Sequence, residues 1–349
     1  MNFSGIGFFI HTPEMFNHYR PVWEKLGRNN VNLVLYGDQS SRKTSRKMAI
    51  LENYDVVDYE VIRDSEKKYA VFVSNHSMYE YKGKSINLFL GEKQVRFMYA
   101  LGKAKHNFAS WNNDYDLILC FGPYQAERLK QCCSAIIFQM GYPRYDKYFT
   151  AKINKEKIMQ ELVLDTSKKT IVWLPTWKEL STIDDFADVI SSLSTQYNVV
   201  VKTHPLSAIE EAGRLEKLKQ FAFTKVITEI YDNLELYAIA DWIVADYGGP
   251  AFGALYLDIP LLLLNLPNAE NDQLTGADSP DILLREHIVN VDKQQRWGIA
   301  GLILRDEIWQ EQTTSRRLLR QQHFYPSYGC SADLAATALQ NIHNILAMA

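Results

Sequence analysis

The stretch Asp246-Tyr247-Gly248-Gly249 lies between a segment that suits a strand and one that suits a helix. Before it runs Ala240-Asp241-Trp242-Ile243-Val244, short and apolar like a buried parallel strand. After it, residues 251–257 are small and apolar at helical spacing. A strand that turns through two glycines into a helix leaves unbonded N–H groups at the helix start. Those groups and the helix dipole attract a phosphate. Glycine lets a diphosphate approach the backbone with no Cβ in the way. An ordinary βα turn has the same pattern, so the motif gains meaning only from what surrounds it.

Other residues with usable chemistry also follow apolar runs. Lys202-Thr203-His204-Pro205 leaves a strand, and Pro205 stiffens the exit. His204 there can donate to a phosphate or act as acid or base near neutral pH; it can equally be buried against backbone. In Leu174-Pro175-Thr176-Trp177-Lys178, Thr176 and Lys178 suit phosphate and Trp177 suits a base pocket, the alternatives being a cap and a packed ring. His11 ends the first strand and His18 opens the helix behind it. Either suits a general base for an acceptor hydroxyl, or a helix cap. Asn75-His76 ends another strand, and Tyr99 to His106 follows a further one. There Gly102, Lys103, Lys105 and His106 suit an anionic acceptor, or a solvated helix start. Arg42, Lys43, Arg46 and Lys47 form a solvated face or a contact for anionic lipid.

These residues need a scaffold, and 349 residues suffice for two domains. A hydrophobic share of 47% and a charged share of 23% describe a globular chain, and a net charge of −3 argues against a general nucleic-acid binder. The N-terminus lacks a basic start and a small-residue cleavage site and reads as a first strand. No apolar run has the length of a membrane span. Cys120, Cys132, Cys133 and Cys330 lack metal-ligand spacing, so a reduced, cytoplasmic chain without metal is expected.

Strands are predicted at 7–11, 31–36, 56–61, 69–74, 94–98, 117–121 and 136–140, then at 170–174, 198–202, 223–228, 240–244, 260–264 and 288–290. Helices alternate with them, near 19–28, 152–161, 184–193, 209–220 and 234–238, with a polar loop or helix start at 37–47. The alternation implies parallel α/β layers, with ligands at the carboxyl ends of the strands. Gly141-Tyr142-Pro143-Arg144 breaks the pattern and divides the chain. Residues 331–349 read as an amphipathic helix with Leu334, Ala338, Ile342 and Ile345 on one face.

Four motifs in order resemble the CDP-glycerol glycerophosphotransferases of teichoic acid and capsule synthesis. They are Gly141-Tyr142-Pro143-Arg144-Tyr145-Asp146, Trp173-Leu174-Pro175-Thr176-Trp177-Lys178, Lys202-Thr203-His204-Pro205, and Asp246-Tyr247-Gly248-Gly249 followed by Asp258-Ile259-Pro260. The resemblance implies an α/β fold of the GT-B type, two Rossmann-like doubly wound domains facing across a cleft. Residues 1–147 would form the acceptor domain and 148–328 the nucleotide-donor domain, with a helix at 329–349 crossing back to the first. The donor site would comprise Thr176, Trp177, Lys178, His204, Asp246, Tyr247, Gly248 and Gly249. Pro143 and Arg144 would form a hinge near phosphate, and Lys103 and His106 would meet the acceptor. Catalytic candidates are His18, His11, Tyr99 and His204.

The chain departs from that family twice. Its Trp-His-Gly aligns with Met98-Tyr99-Ala100, which puts Tyr99 where the family has a histidine, and its Ser-Ser aligns with Gly248-Gly249. A tyrosine, with its usual pKa near 10, is a poor base at neutral pH. The implied function is transfer of a polyol phosphate or glycosyl group from a nucleotide-diphosphate donor to an acceptor hydroxyl in surface-polymer synthesis. The donor would be a substrate, with no separate cofactor. Expected partners are that donor and a glycan or lipid-linked acceptor, with peripheral contact at the inner face of the plasma membrane and no nucleic acid. The alternatives are a nucleotide-sugar glycosyltransferase, a non-hydrolysing nucleotide-sugar 2-epimerase using Glu14 and Asp246, and a non-catalytic nucleotide or glycan binder.

Overall fold

The computed structural model describes residues 5–65 and 67–348. The parts of the sequence reading that concern residues 1–4 and 349 lie outside them. The chain divides into two compact units. The first comprises residues up to 99, 108–149 and 323 onward; the second comprises 100–107 and 150–322. The division departs from the sequence boundaries in placing Ala100–Asn107 with the second unit.

Apolar, β-branched runs make the strands, and nearly all pair in parallel. In the first unit they are β1 (Ile6–Ile10), β2 (Val31–Leu35), β3 (Asp55–Asp58), β4 (Tyr69–Ser74), β5 (Gly91–Phe97), β6 (Leu117–Cys120) and β7 (Ile136–Gln139). Across the sheet they run β3-β2-β1-β4-β5-β6-β7. In the second unit they are β8 (Thr170–Leu174), β9 (Asn198–Lys202), β10 (Lys225–Ile227), β11 (Trp242–Ala245), β12 (Leu261–Asn265) and β13 (Asn290–Asp292), and they run β10-β9-β8-β11-β12-β13. Both orders are doubly wound. In such sheets the strand order reverses at one point, where the carboxyl ends of the two flanking strands leave a crevice for a ligand. That point lies between β1 and β4 in the first unit and between β8 and β11 in the second. The register of the second is close: Leu174 pairs with Ala245, so the loops that begin at Pro175 and Asp246 leave side by side.

Strands β8, β9 and β11 are buried along their whole lengths, as sheets covered on both faces require. Helix Ile183–Ser192 adds Ile183, Phe186, Ala187 and Ile190 to the same core, and Trp173, Trp242 and Trp309 fill it.

Several elements differ from the sequence reading. The strand expected at 56–61 ends at Asp58, and Tyr59–Asp64 is a helix. The polar segment after Gly37 is helix Gln39–Leu51, started by Asp38, whose carboxylate accepts the Ser41 N–H at 2.9 Å. The helix expected at 209–220 is two, Ser207–Glu210 and Ala212–Leu218. The C-terminal segment is also two, Ser331–Gln340 and Ile342–Ala347, parted at Asn341, whose amide bonds back to the Thr337 carbonyl.

The long helix Asp306–His323 was not anticipated. Part of its buried face is polar, which hides the period: Gln312 and Arg316 stand between Trp309 and Leu319. Gln312 accepts the Leu261 N–H at 3.1 Å and donates to the Leu261 carbonyl at 2.7 Å, and Arg316 pairs with Asp258 at 3.0 Å. Replacing Gln312 by alanine leaves both backbone groups of Leu261 buried without a partner. The expected loss is about 1–3 kcal/mol in urea unfolding, with the m-value unchanged.

Candidate functional site

Asp246 is the first residue past β11 and is 1% exposed. Its carboxylate accepts N–H groups from Thr176 (2.8 Å), Tyr247 (2.8 Å) and Thr182 (3.1 Å), and the Thr182 hydroxyl at 3.1 Å. It thus binds the loop after β8 to the turn after β11. Burial pushes its pKa up to about 6, against the pull of the N–H groups. Of the two roles considered for Asp246, the structure shows the ordering of the turn; its oxygens are committed to protein donors.

Gly248 follows at φ 102, ψ −158, a conformation that favours glycine. Helix Gly249–Tyr256 starts there with Pro250 in its first turn, and its end is held by the Tyr237 hydroxyl on the Pro250 carbonyl at 2.8 Å. A Cβ at Gly248 or Gly249 would meet no heavy atom within 4 Å, so this face of the turn is open. The Gly248 N–H donates to Asp281 at 3.1 Å. Gly249 therefore stays a candidate amide, while that of Gly248 already serves a carboxylate.

Tyr247, a candidate donor ligand, also anchors the turn. Its phenol accepts the Leu266 N–H at 3.1 Å, and the Arg285 guanidinium lies 3.9 Å over its ring. Arg285 then donates to the carbonyls of Asp246 (2.8 Å) and Leu264 (3.0 Å), and to the Asn265 side chain at 2.7 Å. It also donates to the Asp281 carbonyl. Asp281 and Arg285 escaped the sequence reading. Their signal was Ser279-Pro280-Asp281, a capped helix start, with the opposite charge four residues on.

His204 leaves β9 with its ring stacked on Trp177, centroids 5.3 Å apart at 7°. Its Nδ1 accepts the Leu206 N–H at 3.2 Å, so the ring proton sits on Nε2. Burial, aided by the charges of Lys202 and Lys103, pushes its pKa down to about 3. At neutral pH it is an uncharged donor, suited to a phosphate oxygen. Thr176 is buried in the same neighbourhood. The Lys178 ammonium lies over Trp177 at 4.1 Å and forms a half-exposed ion pair with Glu210 at 3.2 Å.

In the first unit, His11 and His76 stand at the carboxyl ends of β1 and β4 with ring centroids 4.9 Å apart. The His11 Nδ1 is buried without a hydrogen-bond partner among the described residues, and burial pushes its pKa down to about 4. His18, also a candidate base, is held by a neighbouring cation. Its Nε2 lies 3.1 Å from the Arg144 guanidinium, a donor under any tautomer, so that lone pair is engaged. Burial first, then Arg144 and His11, lower its pKa. Tyr99 packs edge-on to His18 at 5.5 Å, and burial raises its pKa, which moves it further from use as a base.

Pro143 and Arg144 lie in a short turn, Pro143–Tyr145, inside the first unit. Arg144 pairs with Glu14 at 3.1 Å inside that unit. Lys103 and His106, expected to meet the acceptor, lie in the second unit, where the Lys103 N–H donates to Asp281 at 2.9 Å and the His106 N–H to the Leu274 carbonyl at 3.3 Å.

Two sheets of Rossmann-like order, one carrying a donor-lined helix start beside a neutral histidine, define a GT-B-like protein. Residues 93–266 match the model of the family "CDP-Glycerol:Poly(glycerophosphate) glycerophosphotransferase", and through them the chain belongs to that family. It is similar to the teichoic acid poly(glycerol phosphate) polymerases of Bacillus spizizenii (27% identical over 49% of this chain and 46% of that protein) and Bacillus subtilis (27%, over 55% and 28%). The chain thus spans less than half the length of these curated relatives. Among solved structures it resembles the wall teichoic acid polymerase TagF, with TM-score 0.64 at 14% identity over 100% of this chain and 90% of that one. It also resembles a Staphylococcus aureus MnaA–UDP co-structure, with TM-score 0.62 at 12% identity over 98% and 97%.

Two outcomes test this geometry. Asp246→Asn keeps the shape but turns an NH2 toward backbone donors, and should lower unfolding stability by about 1–3 kcal/mol. His204 carries a folded pKa below its unfolded value near 6.5, so its contribution to stability is full above pH 6.5 and is lost as pH falls toward about 3. His204→Gln should therefore lose less stability than wild type between pH 6.5 and 4 in parallel denaturant titrations.

Proposed function

We propose that the chain transfers a glycerol phosphate unit from CDP-glycerol to an acceptor hydroxyl in wall-polymer synthesis. One observation carries this reading. Three of the four family motifs lie on the neighbouring loops that leave β8, β9 and β11 at the carboxyl edge of the second sheet, where they bring the neutral Nε2–H donor of His204 and the open glycine turn Gly248-Gly249.

The acceptor oxygen attacks the phosphorus that bears the glycerol. A new P–O bond forms, the bond to the CMP oxygen breaks, and CMP leaves. His204 and the helix-start amides stabilise charge on the diphosphate oxygens. The acceptor proton passes to a base, which we assign to His11. Its Nδ1 has no partner among the described residues, whereas Arg144 occupies His18 and Tyr99 stays protonated. The proposed acceptor is a lipid-linked glycan reached at the inner face of the membrane. No described helix is long and apolar enough to cross a membrane. Helix Gln39–Leu51 supports surface contact, since Ile50 and Leu51 are 61% and 72% exposed beside Lys43 and Lys47.

A second reading, a UDP-sugar transferase or epimerase, is favoured by Gly248-Gly249 in place of the family's Ser-Ser. Thermal stabilisation separates the two. CDP-glycerol should raise Tm, in proportion to RT ln(1 + [L]/Kd), and His204→Ala should abolish the rise. A rise with UDP-sugars alone overturns the glycerol phosphate reading in favour of the second. His11→Ala should keep the CDP-glycerol shift and lose CMP release to acceptor by about a hundredfold or more; full retained turnover overturns the assignment of His11.

A further inference from the structure

Lys103 adopts φ 61, a left-handed conformation that residues other than glycine rarely adopt. Neighbouring contacts hold it there. Its N–H donates to one oxygen of Asp281 at 2.9 Å, and the next N–H, of Ala104, donates to the Ser279 hydroxyl at 3.2 Å. The other Asp281 oxygen takes the Gly248 N–H at 3.1 Å. A single carboxylate, 2% exposed, therefore ties Lys103 to the residue that opens the helix. Gly102 completes the fit, because a Cβ there would run into that carboxylate.

The charge of Lys103 also acts on Asp281, where with Arg285 it opposes the rise in pKa that burial causes. Lys178 is paired with Glu210, and the Lys105 ammonium reaches the Asp272 carbonyl at 3.3 Å. Lys103 has no ion pair among the described residues. Its charge reaches His204, where it helps to hold the imidazole neutral. The oxygens of Asp281 and Asp246 are directed at protein N–H groups. The Lys103 ammonium, a neutral imidazole donor and an open glycine turn together offer positive charge and hydrogen-bond donors suited to an anion.

We propose that Lys103 is a ligand of the donor's diphosphate and that Asp281 is the positioning residue that holds it beside the Gly248-Gly249 turn. This rests on the nucleotide-donor reading above and moves Lys103 from the acceptor to the donor. The ammonium contacts a non-bridging phosphate oxygen as a point charge.

Calorimetric titration of CDP and of cytidine tests it. Lys103→Met should weaken CDP by roughly tenfold to a hundredfold and leave cytidine unchanged. Asp281→Asn should also weaken CDP and leave cytidine unchanged. The His204 ring, followed by NMR titration without ligand, should titrate higher in Lys103→Met, since a neighbouring cation is gone. CDP affinity unchanged in Lys103→Met overturns the ligand role. Equal losses for CDP and cytidine in Asp281→Asn overturn the positioning role. An unmoved His204 titration overturns the placement of Lys103. CDP that fails to bind the wild-type chain overturns the donor reading itself.

Discussion

The Asp246 carboxylate is the contact on which the candidate site depends. Two loops leave the reversal point of the second sheet, and before the next helix begins the first carries only the short 3-10 turn Lys178–Leu180. Asp246 supplies acceptors to both, through Thr176 and Thr182 on one side and Tyr247 on the other. The backbone N–H groups that would otherwise be buried and unpaired are satisfied by one side chain. Arg285 works from behind on the opposite polarity, gathering the carbonyls of Asp246, Leu264 and Asp281 while it lies on the Tyr247 ring. A buried acid and a buried base thus split the loop between them, one collecting N–H groups and the other collecting C=O groups. Neither needs the other as an ion-pair partner, and the open side of the turn is left to Gly248 and Gly249.

The division explains why a site built for an anion can contain aspartates. A carboxylate whose oxygens accept backbone donors contributes order more than field, and burial raises the pKa of both Asp246 and Asp281. The groups on the same loops that are not spent on protein are donors or cations. His204 is kept neutral by burial, so it adds a hydrogen bond without the desolvation cost of a full charge. Stacking on Trp177 fixes its plane, and the Leu206 N–H fixes its tautomer. Three local features therefore aim one N–H, which is the preorganisation that stabilisation of a developing charge requires.

The chain made some of this legible and hid the rest for physical reasons. A glycine pair between an apolar run and a small-residue helix can be read along the chain, because strand, turn and helix are all local. So can a histidine and proline at a strand end. The two doubly wound sheets followed from the alternation of such runs. Partners drawn from far away could not be read. Asp281 reaches back 178 residues to Lys103, and nothing local to Lys103 marks it as held. Arg144 and Glu14 lie far apart in the sequence, so the carboxylate that pairs with a motif resembling a phosphate hinge is invisible at that distance. The helix Asp306–His323 shows the same limit in its periodicity, since Gln312 and Arg316 on its buried face bond to the strand and loop they cover.

The first unit reverses its strand order between β1 and β4 just as the second does between β8 and β11, yet its residues there are of a different kind. His11, His18 and His76 are aromatic and weakly basic, and their neighbours Tyr79 and Tyr99 add rings instead of amide-lined turns. Such a surface holds no fixed positive cradle; it suits hydroxyl groups and the faces of carbon rings, which aromatic side chains and neutral imidazoles accept without desolvating a charge. Replacement of the family histidine by Tyr99 fits this pattern. Tyr99 packs against His18, His18 is held by Arg144, and the His11 Nδ1 has no hydrogen-bond partner among the described residues. The same topological position thus carries two chemistries in one chain, set by whether glycines or aromatic residues follow the strands.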